Sequence, residues 1–331
     1  MTIIKEMIII SINKTARLFE VNTIDVVTAK VLFSSLTLEN DIVQFFRITT
    51  GGSTSNYKVV MNNSVSYLLR VYPNDNDHSD IEMAAYSYAR RLINVPEIYI
   101  VDNSKKMISN TYVIMKFIDG ITLQEYMIKN TNINQEILIS IGKSLALLHN
   151  RNYGAMAILN SDLSSVLSPL GSTYQLFEYY LVNLAGRRLS AEVKIKLGSI
   201  MNAKKELFTQ IDDEYVLTHG DFNFSNIIID KSETAWFIDF EYCFSAPRYY
   251  DIGKFFRTSN QFDKLLLRDS FIKGYQSVYG RQLPDNWWCL SKLNDIQTML
   301  ALMNREKLPE SWANEIEKEI VTNIGIIDSF T

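Results

Sequence analysis

Two styles of apolar grouping divide the chain. Up to Gly120 short apolar runs alternate with turn residues. Ile42 to Thr49 reads as a strand and Thr50 to Asn56 as a turn-rich loop, and Tyr57 to Met61 and Tyr67 to Tyr72 follow as strands about Asn62-Asn63-Ser64. Ile81, Ala84, Ala85, Tyr88 and Leu92 recur at helical spacing, which predicts a helix from about Asp80 to Ile93 with those residues facing a core and Pro96 as the stop. Glu97 to Val101 and Thr111 to Phe117 read as two more strands, the second running out at Asp119-Gly120. Five strands with one inserted helix make a small mixed lobe. Beyond Gly120 helical stripes dominate, the clearest being Ile137, Leu138, Ile141, Leu145 and Leu148 before His149. Strand-like segments return only at Tyr215 to Leu217, Ile227 to Ile229 and Ala235 to Phe240. The first 40 or so residues read as a helical extension, with Ala16-Arg17-Leu18-Phe19 and Val26-Val27-Thr28-Ala29 as its apolar patches. The expectation is an α+β, two-lobed chain: an N-terminal lobe over 1–117, including the extension at about 1–40, and a larger helical lobe over 118–331, with a ligand cleft between them.

Composition narrows the classes. The 331 residues are 47% hydrophobic and 21% charged, which is globular rather than disordered. A net charge of -4 and a pI near 5.6 argue against nucleic acid or an anionic membrane as partner and are compatible with a cationic small molecule. Cys243 and Cys289 stand alone, with no CxxC or Cys/His cluster, so neither a disulfide framework nor a zinc site is expected. The apolar run Met7-Ile8-Ile9-Ile10 is too short to span a bilayer and lacks the flanks of a secretory signal, so a soluble, cytoplasmic protein is expected. Oligomeric state leaves no mark on the sequence.

The chemistry concentrates in one stretch. Leu217-Thr218-His219-Gly220-Asp221-Phe222-Asn223-Phe224-Ser225-Asn226 places His-x-Asp-x-x-x-x-Asn on a polar loop before the apolar run Ile227-Ile228-Ile229. Further on, Asp239 ends another apolar run at Ile238-Asp239-Phe240-Glu241. Phosphoryl transfer requires a group at the attacking hydroxyl and a cation to neutralise phosphate charge. Mg²⁺ accepts a few protein oxygens beside phosphates and water. Asp221 then reads as the base, and Asn226 and Asp239 as metal ligands.

With these residues the chain resembles the aminoglycoside phosphotransferase and choline kinase superfamily, distant relatives of protein kinases. The resemblance extends from about residue 40 to 256. Tyr67 to Tyr72 resembles the family's third strand, which puts Arg70 where a basic residue holds nucleotide phosphates, and Glu82 where its ion-pair partner is expected. Val113 to Gly120 resembles the lobe connector, so Met115, Lys116, Phe117 and Ile118 would receive the base. Ile141 to His149 and Tyr249-Tyr250-Asp251-Ile252-Gly253 resemble two further family segments. The resemblance implies a protein-kinase-like fold, with a five-stranded antiparallel sheet and one helix in the small lobe. It also implies a small-molecule kinase using ATP or GTP with Mg²⁺ on an aminoglycoside-like alcohol, an activity linked to antibiotic resistance. A choline or ethanolamine kinase is the alternative, and a nucleotide-binding module without catalysis is the alternative from another class. The chain departs from the family in having Phe224-Ser225 where Pro-Gly is common. It also lacks His-Arg-Asp, Asp-Phe-Gly and Ala-Pro-Glu, which argues against a protein substrate.

Plainer readings stand beside these. Gly51-Gly52 with Ser53, Thr54 and Ser55 is an ordinary hairpin turn unless its position ahead of Arg70 makes it a phosphate cradle. Glu82 alone reads as a solvated helix charge, and His149 as a packing or helix-capping residue. In the resembling family, His219 and Asp251 would brace the catalytic loop. Glu241 is open between second-sphere metal group, substrate contact and surface charge. Trp287-Trp288 suits an ammonium cage, but aromatics at such positions are more often core.

Overall fold

A computed structural model describes residues 22–36, 41–49, 53–130, 133–164, 166–257 and 264–330. Five strands, β1 (Ile42–Ile48), β2 (Ser55–Met61), β3 (Ser66–Val71), β4 (Ile98–Asp102) and β5 (Tyr112–Lys116), form one sheet in the order β1-β2-β3-β5-β4. Every pairing in it is antiparallel. Alternation decides what each face carries, because successive side chains point to opposite sides of a strand. Tyr67, Leu69 and Val71 join Tyr57, Val59 and Ile114 in a small core beneath the helix α1 (Val26–Phe33), whose Leu32 and Phe33 pack there. Arg70 has the opposite parity, so it lies on the other face, toward α2 (Ser79–Ala89).

Thirteen strands and twelve α-helices occur among the described residues. After β6 (Gly120–Thr122) come α3 (Leu123–Lys129), α4 (Gln135–Leu148), β7 (Asn152–Tyr153), β8 (Ala157–Leu159) and β9 (Val166–Pro169). Helices α5 (Thr173–Val182), α6 (Leu184–Arg188), α7 (Ala191–Ala203) and α8 (Lys205–Ile211) lead to β10 (Tyr215–Thr218), β11 (Ile227–Asp230), β12 (Ala235–Phe237) and β13 (Phe244–Pro247). The chain closes with α9 (Tyr249–Phe255), α10 (Lys264–Tyr279), α11 (Trp287–Met303) and α12 (Glu310–Asp328). Strands β7-β10-β13-β8-β9 make a second sheet and β12-β11-β6 a third. The polar stretch with Asp221 links the second sheet to the third, which fixes both its ends.

The larger core is helical. Helices α4 and α10 meet at glycines: a Cβ on Gly142 would lie 2.0 Å from the Phe271 carbonyl oxygen, and one on Gly274 2.0 Å from that of Ile139. Only hydrogen at both positions permits this backbone approach.

The two-lobed reading holds, with three local differences. The buried face of α2 is Glu82, Ala85, Tyr86 and Ala89, displaced from the expected stripe because a charged residue turns inward to a partner. The strand expected over Ala235 to Phe240 ends at Phe237, since Asp239 adopts φ 74°, which no strand accommodates. Strands β6 to β9 and β13 were not expected; they are two to four residues long and carry no sustained pattern. Of the extension, Val26 to Ala29 begins α1, capped by the Asp25 side chain accepting from the Thr28 N–H. Ala16 to Phe19 lies outside the described residues.

Candidate active site

The loop between β10 and β11 is held from several sides. Gly220 has φ 78°, and a Cβ there would lie 1.9 Å from the Tyr242 carbonyl oxygen, so the loop requires glycine between His219 and Asp221. Asp251, in the first turn of α9 and wholly buried, accepts from the His219 N–H at 2.6 Å and the Gly220 N–H at 3.1 Å. His149 Nε2 lies 3.1 Å from the same carboxylate. The Arg248 Nη1 donates to the Tyr275 hydroxyl (2.7 Å), which lies 2.8 Å from His149 Nδ1. That order assigns the tautomer: Tyr275 donates to Nδ1, and Nε2–H donates to Asp251. Burial pushes the His149 imidazole below its usual pKa despite Asp251 beside it, so it is neutral there. His149 is therefore a brace for the loop rather than a charged helix cap. His219, likewise pushed down by burial, is 3.0 Å through Nε2 from the Ile238 carbonyl.

Asp221 lies at the focus. Asn226 Nδ2 donates to its Oδ2 at 2.7 Å and to its carbonyl oxygen at 2.9 Å. Lys254 Nζ stands 2.8 Å from Asp221 Oδ1 and donates to the Gly220 carbonyl, also at 2.8 Å. Burial alone would raise the Asp221 pKa; the Lys254 ammonium and the Asn226 amide more than offset it and hold the carboxylate ionised. Lys254 is the residue that motif reading missed. It lies on α9, and only its helical offset from Asp251 turns it to the same loop.

The second focus is Arg70. Its Nη2 lies 2.6 Å from Asp239 Oδ1, 3.3 Å from Glu82 Oε2 and 3.3 Å from Glu241 Oε2. The Tyr72 hydroxyl donates to Glu82 Oε2 at 2.6 Å. Three carboxylates on one guanidinium leave negative charge in excess. Burial and the crowding by Asp239 push Glu82 up to about 7 and Glu241 up to about 8. Glu82 is wholly buried and Glu241 nearly so, which removes the solvated reading of both. The Asp239 N–H donates to the Tyr86 hydroxyl of α2 at 3.0 Å, tying the two lobes together at this point.

Gly51 and Gly52 lie outside the described residues. Ser53 Oγ is 2.9 Å from the Tyr242 hydroxyl, whereas the hydroxyls of Thr54 and Ser55 are buried, Ser55 accepting from the Asn22 N–H. In the connector, the Lys116 and Phe117 N–H groups already serve the carbonyls of Glu97 and Ser66, and Met115 is buried in the sheet, which leaves Ile118 clear of these bonds. Trp287 and Trp288 pack on Phe256. Lys292 and Arg268 already stand over the Trp288 ring, at 4.6 and 5.5 Å.

The family model described as phosphotransferase enzyme family matches residues 46–287, the greater part of the chain. The chain belongs to the phosphotransferase enzyme family. As a member it is a small-molecule kinase, and the His219 to Asn226 loop, Arg70 and Asp239 all fall inside the matched span. No curated protein matches the chain by sequence. Solved structures do match this family member in fold. A candidate aminoglycoside phosphotransferase from Ralstonia eutropha has a TM-score of 0.65 at 15% identity, over 91% of this chain and 96% of that one. The choline kinase LicA from Streptococcus pneumoniae has a TM-score of 0.61 at 14% identity, over 90% and 98%. A thermostable aminoglycoside phosphotransferase APH(4)-Ia, solved with ADP and hygromycin B, has a TM-score of 0.57 at 12% identity, over 91% and 96%. Among the described residues, no helix is long and apolar enough to cross a membrane.

Proposed function

We propose that this phosphotransferase moves the γ-phosphate of ATP or GTP to a hydroxyl of a small molecule, with Asp221 as the base. The observation that carries the reading is the buried Asp221 carboxylate held ionised by Lys254 and Asn226, on a loop braced through Asp251. A base of this kind must be charged and fixed before the hydroxyl arrives. The acceptor oxygen forms the new bond to γ-phosphorus as the bond to the bridging oxygen breaks. The acceptor proton passes to Asp221, and the nucleoside diphosphate leaves. Arg70 grips the phosphates, kept in place by Glu82, with Ser53 on the same side. Ile118 and its neighbours receive the base.

The donor set suits Mg²⁺. Asn226 and Asp239 offer one amide and one carboxylate oxygen, and the charge left over around Arg70 favours a cation. Among the described residues no three His, Cys, Asp or Glu side chains converge as a metal cage, so nucleotide phosphates and water would complete the coordination. When bound, the ion would neutralise phosphate charge. His219 and Asp251 support the loop without touching substrate.

The family resemblance favours an aminoglycoside-like acceptor, of the kind present in the APH(4)-Ia complex. Choline is disfavoured as the alternative, because Trp288 already carries two cationic side chains over its ring. The test follows transfer of labelled γ-phosphate to a panel of alcohols. Asp221→Asn should lower turnover by about 10²–10⁴-fold with nucleotide binding retained. Unchanged turnover in that variant would exclude Asp221 as base, and nucleotide binding without transfer to any acceptor would point to the non-catalytic module.

A further inference from the structure

The sheet of the small lobe presents its side chains in register rows. Tyr57, Val59, Tyr67 and Leu69 lie in the core under α1, so Lys58 and Leu68 point to the opposite face, which also carries Arg70. On that face Ile48, Asn56, Arg70 and Val113 are partners across β1, β2, β3 and β5. The next row toward the connector is Phe46, Lys58, Leu68 and Met115, two residues further along each strand, or about 7 Å. A nucleotide holds its base one ribose away from its phosphates. Phosphates gripped by Arg70 therefore put the base against this second row.

Three members of this row are apolar, as the face of a purine requires, and Lys58 is not. Its Nζ stands 4.2 Å from the centroid of the Phe117 ring and 6.0 Å from that of Phe46. Two aromatic rings thus hold the ammonium at the connector. Among the described residues no hydrogen bond or ion pair takes its N–H groups, and the Asp119 carboxylate that its charge reaches is paired with Lys231 at 2.7 Å. The connector itself is short of donors. The N–H groups of Lys116 and Phe117 go to the Glu97 and Ser66 carbonyls, which leaves Ile118. The purine edge that faces the connector carries position 6, where guanine and hypoxanthine have a carbonyl oxygen and adenine an amino group. A lysine ammonium has donors and no acceptor, so it complements the oxygen and opposes the amino group.

We infer that Lys58 is a specificity residue for the nucleobase, and that the phosphate donor is a 6-oxopurine nucleotide, GTP rather than ATP. The Lys58 ammonium and the Ile118 N–H both donate to O6 of the base, whose two lone pairs accept them. Adenine would take the Ile118 N–H at N1 and turn its amino group to Lys58, donor against donor. This rests on the phosphotransfer reading above and chooses between its two nucleotides.

Calorimetry on the full-length protein with Mg²⁺ compares GDP, IDP and ADP. Diphosphates bind without turnover, and IDP carries O6 without the 2-amino group of guanine. GDP and IDP are expected to bind at least about tenfold more tightly than ADP, the worth of one charge-assisted hydrogen bond. Lys58→Met keeps the length and the packing on Phe117. It should weaken GDP and IDP by at least about tenfold and leave ADP within about twofold. Lys58→Gln gains an acceptor oxygen and should improve ADP relative to GDP, which decides the matter where the methionine variant does not fold. ADP binding as tightly as GDP to the wild-type chain overturns the inference and leaves the phosphotransfer reading intact. So does IDP binding as weakly as ADP, which would credit the 2-amino group. An equal loss for all three nucleotides in Lys58→Met also overturns it, by directing the residue at ribose or phosphate. Binding of none of the three overturns this inference and the phosphotransfer reading together.

Discussion

Replacing Asp251 by Asn separates the support of the loop from the chemistry carried on it. The change preserves shape but converts one acceptor oxygen to an NH₂ group. In the native chain both carboxylate oxygens are occupied, by the His219 and Gly220 N–H groups at 2.6 and 3.1 Å and by His149 Nε2 at 3.1 Å. All three neighbours are donors, so the amide nitrogen must face at least one of them. Hydrogen bonds to a charged partner contribute about 1.5–3 kcal/mol each, and a buried donor left unmatched costs about 1–3 kcal/mol. Losing one such bond and adding one donor–donor conflict therefore costs about 2.5–6 kcal/mol by the same figures. Part of that appears as lower stability in urea unfolding. The rest appears as displacement of Asp221 two residues away from His219, and a misplacement of about 1 Å lowers catalysis by about 10²-fold. Steady-state kinetics on the variant should show kcat reduced by about that factor, with KM for ATP within twofold. The proposed nucleotide contacts reside on Arg70 and its strand, which Asp251 does not touch. A variant that loses stability but keeps kcat within about threefold would refute the bracing argument. So would a parallel rise in KM for ATP.

Two other outcomes follow from the same geometry. Lys254→Met should move the acid limb of the pH–rate profile to higher pH, because burial alone raises the Asp221 pKa and its main counterweight is gone; an unmoved limb would contradict the assignment. Breaking that buried pair should also cost about 3–5 kcal/mol of stability. His149 is neutral in the folded chain with its pKa held below the ordinary 6.5, so the unfolded chain binds more protons as pH falls through that value. Stability from this group is present above pH 6.5 and lost below it, at up to about 1.4 kcal/mol per pH unit. His149→Gln should flatten the acid side of the stability curve by that slope, and an unaltered slope would mean the imidazole is already charged when folded.

How far the fold was legible depended on how local its signal is. The five strands of the small lobe were readable because each is five to seven residues long with turn residues between them. Strands β7 and β8, of two and three residues, were not, since nothing so short shows a period; β7 exists by pairing with distant β10, and β8 joins its neighbour β9 to distant β13. Helix α2 was found but its buried face was displaced, because hydrophobic periodicity cannot register a buried glutamate.

Along the chain, the sequence by itself determined the pieces whose geometry is local. Asp221 and Asn226 sit on one short loop, Asp239 follows β12 two residues on, and Arg70 and Glu82 occupy consecutive elements. Spacing names the first three, and the family resemblance names Arg70 and Glu82. Tertiary structure decided which charges meet. Lys254 reaches Asp221 from α9, Glu241 closes on Arg70, and His149 braces Asp251 from the end of α4. The reason is electrostatic. A pair energy depends on distance in space and on the exclusion of water, and neither quantity is a function of position along the chain.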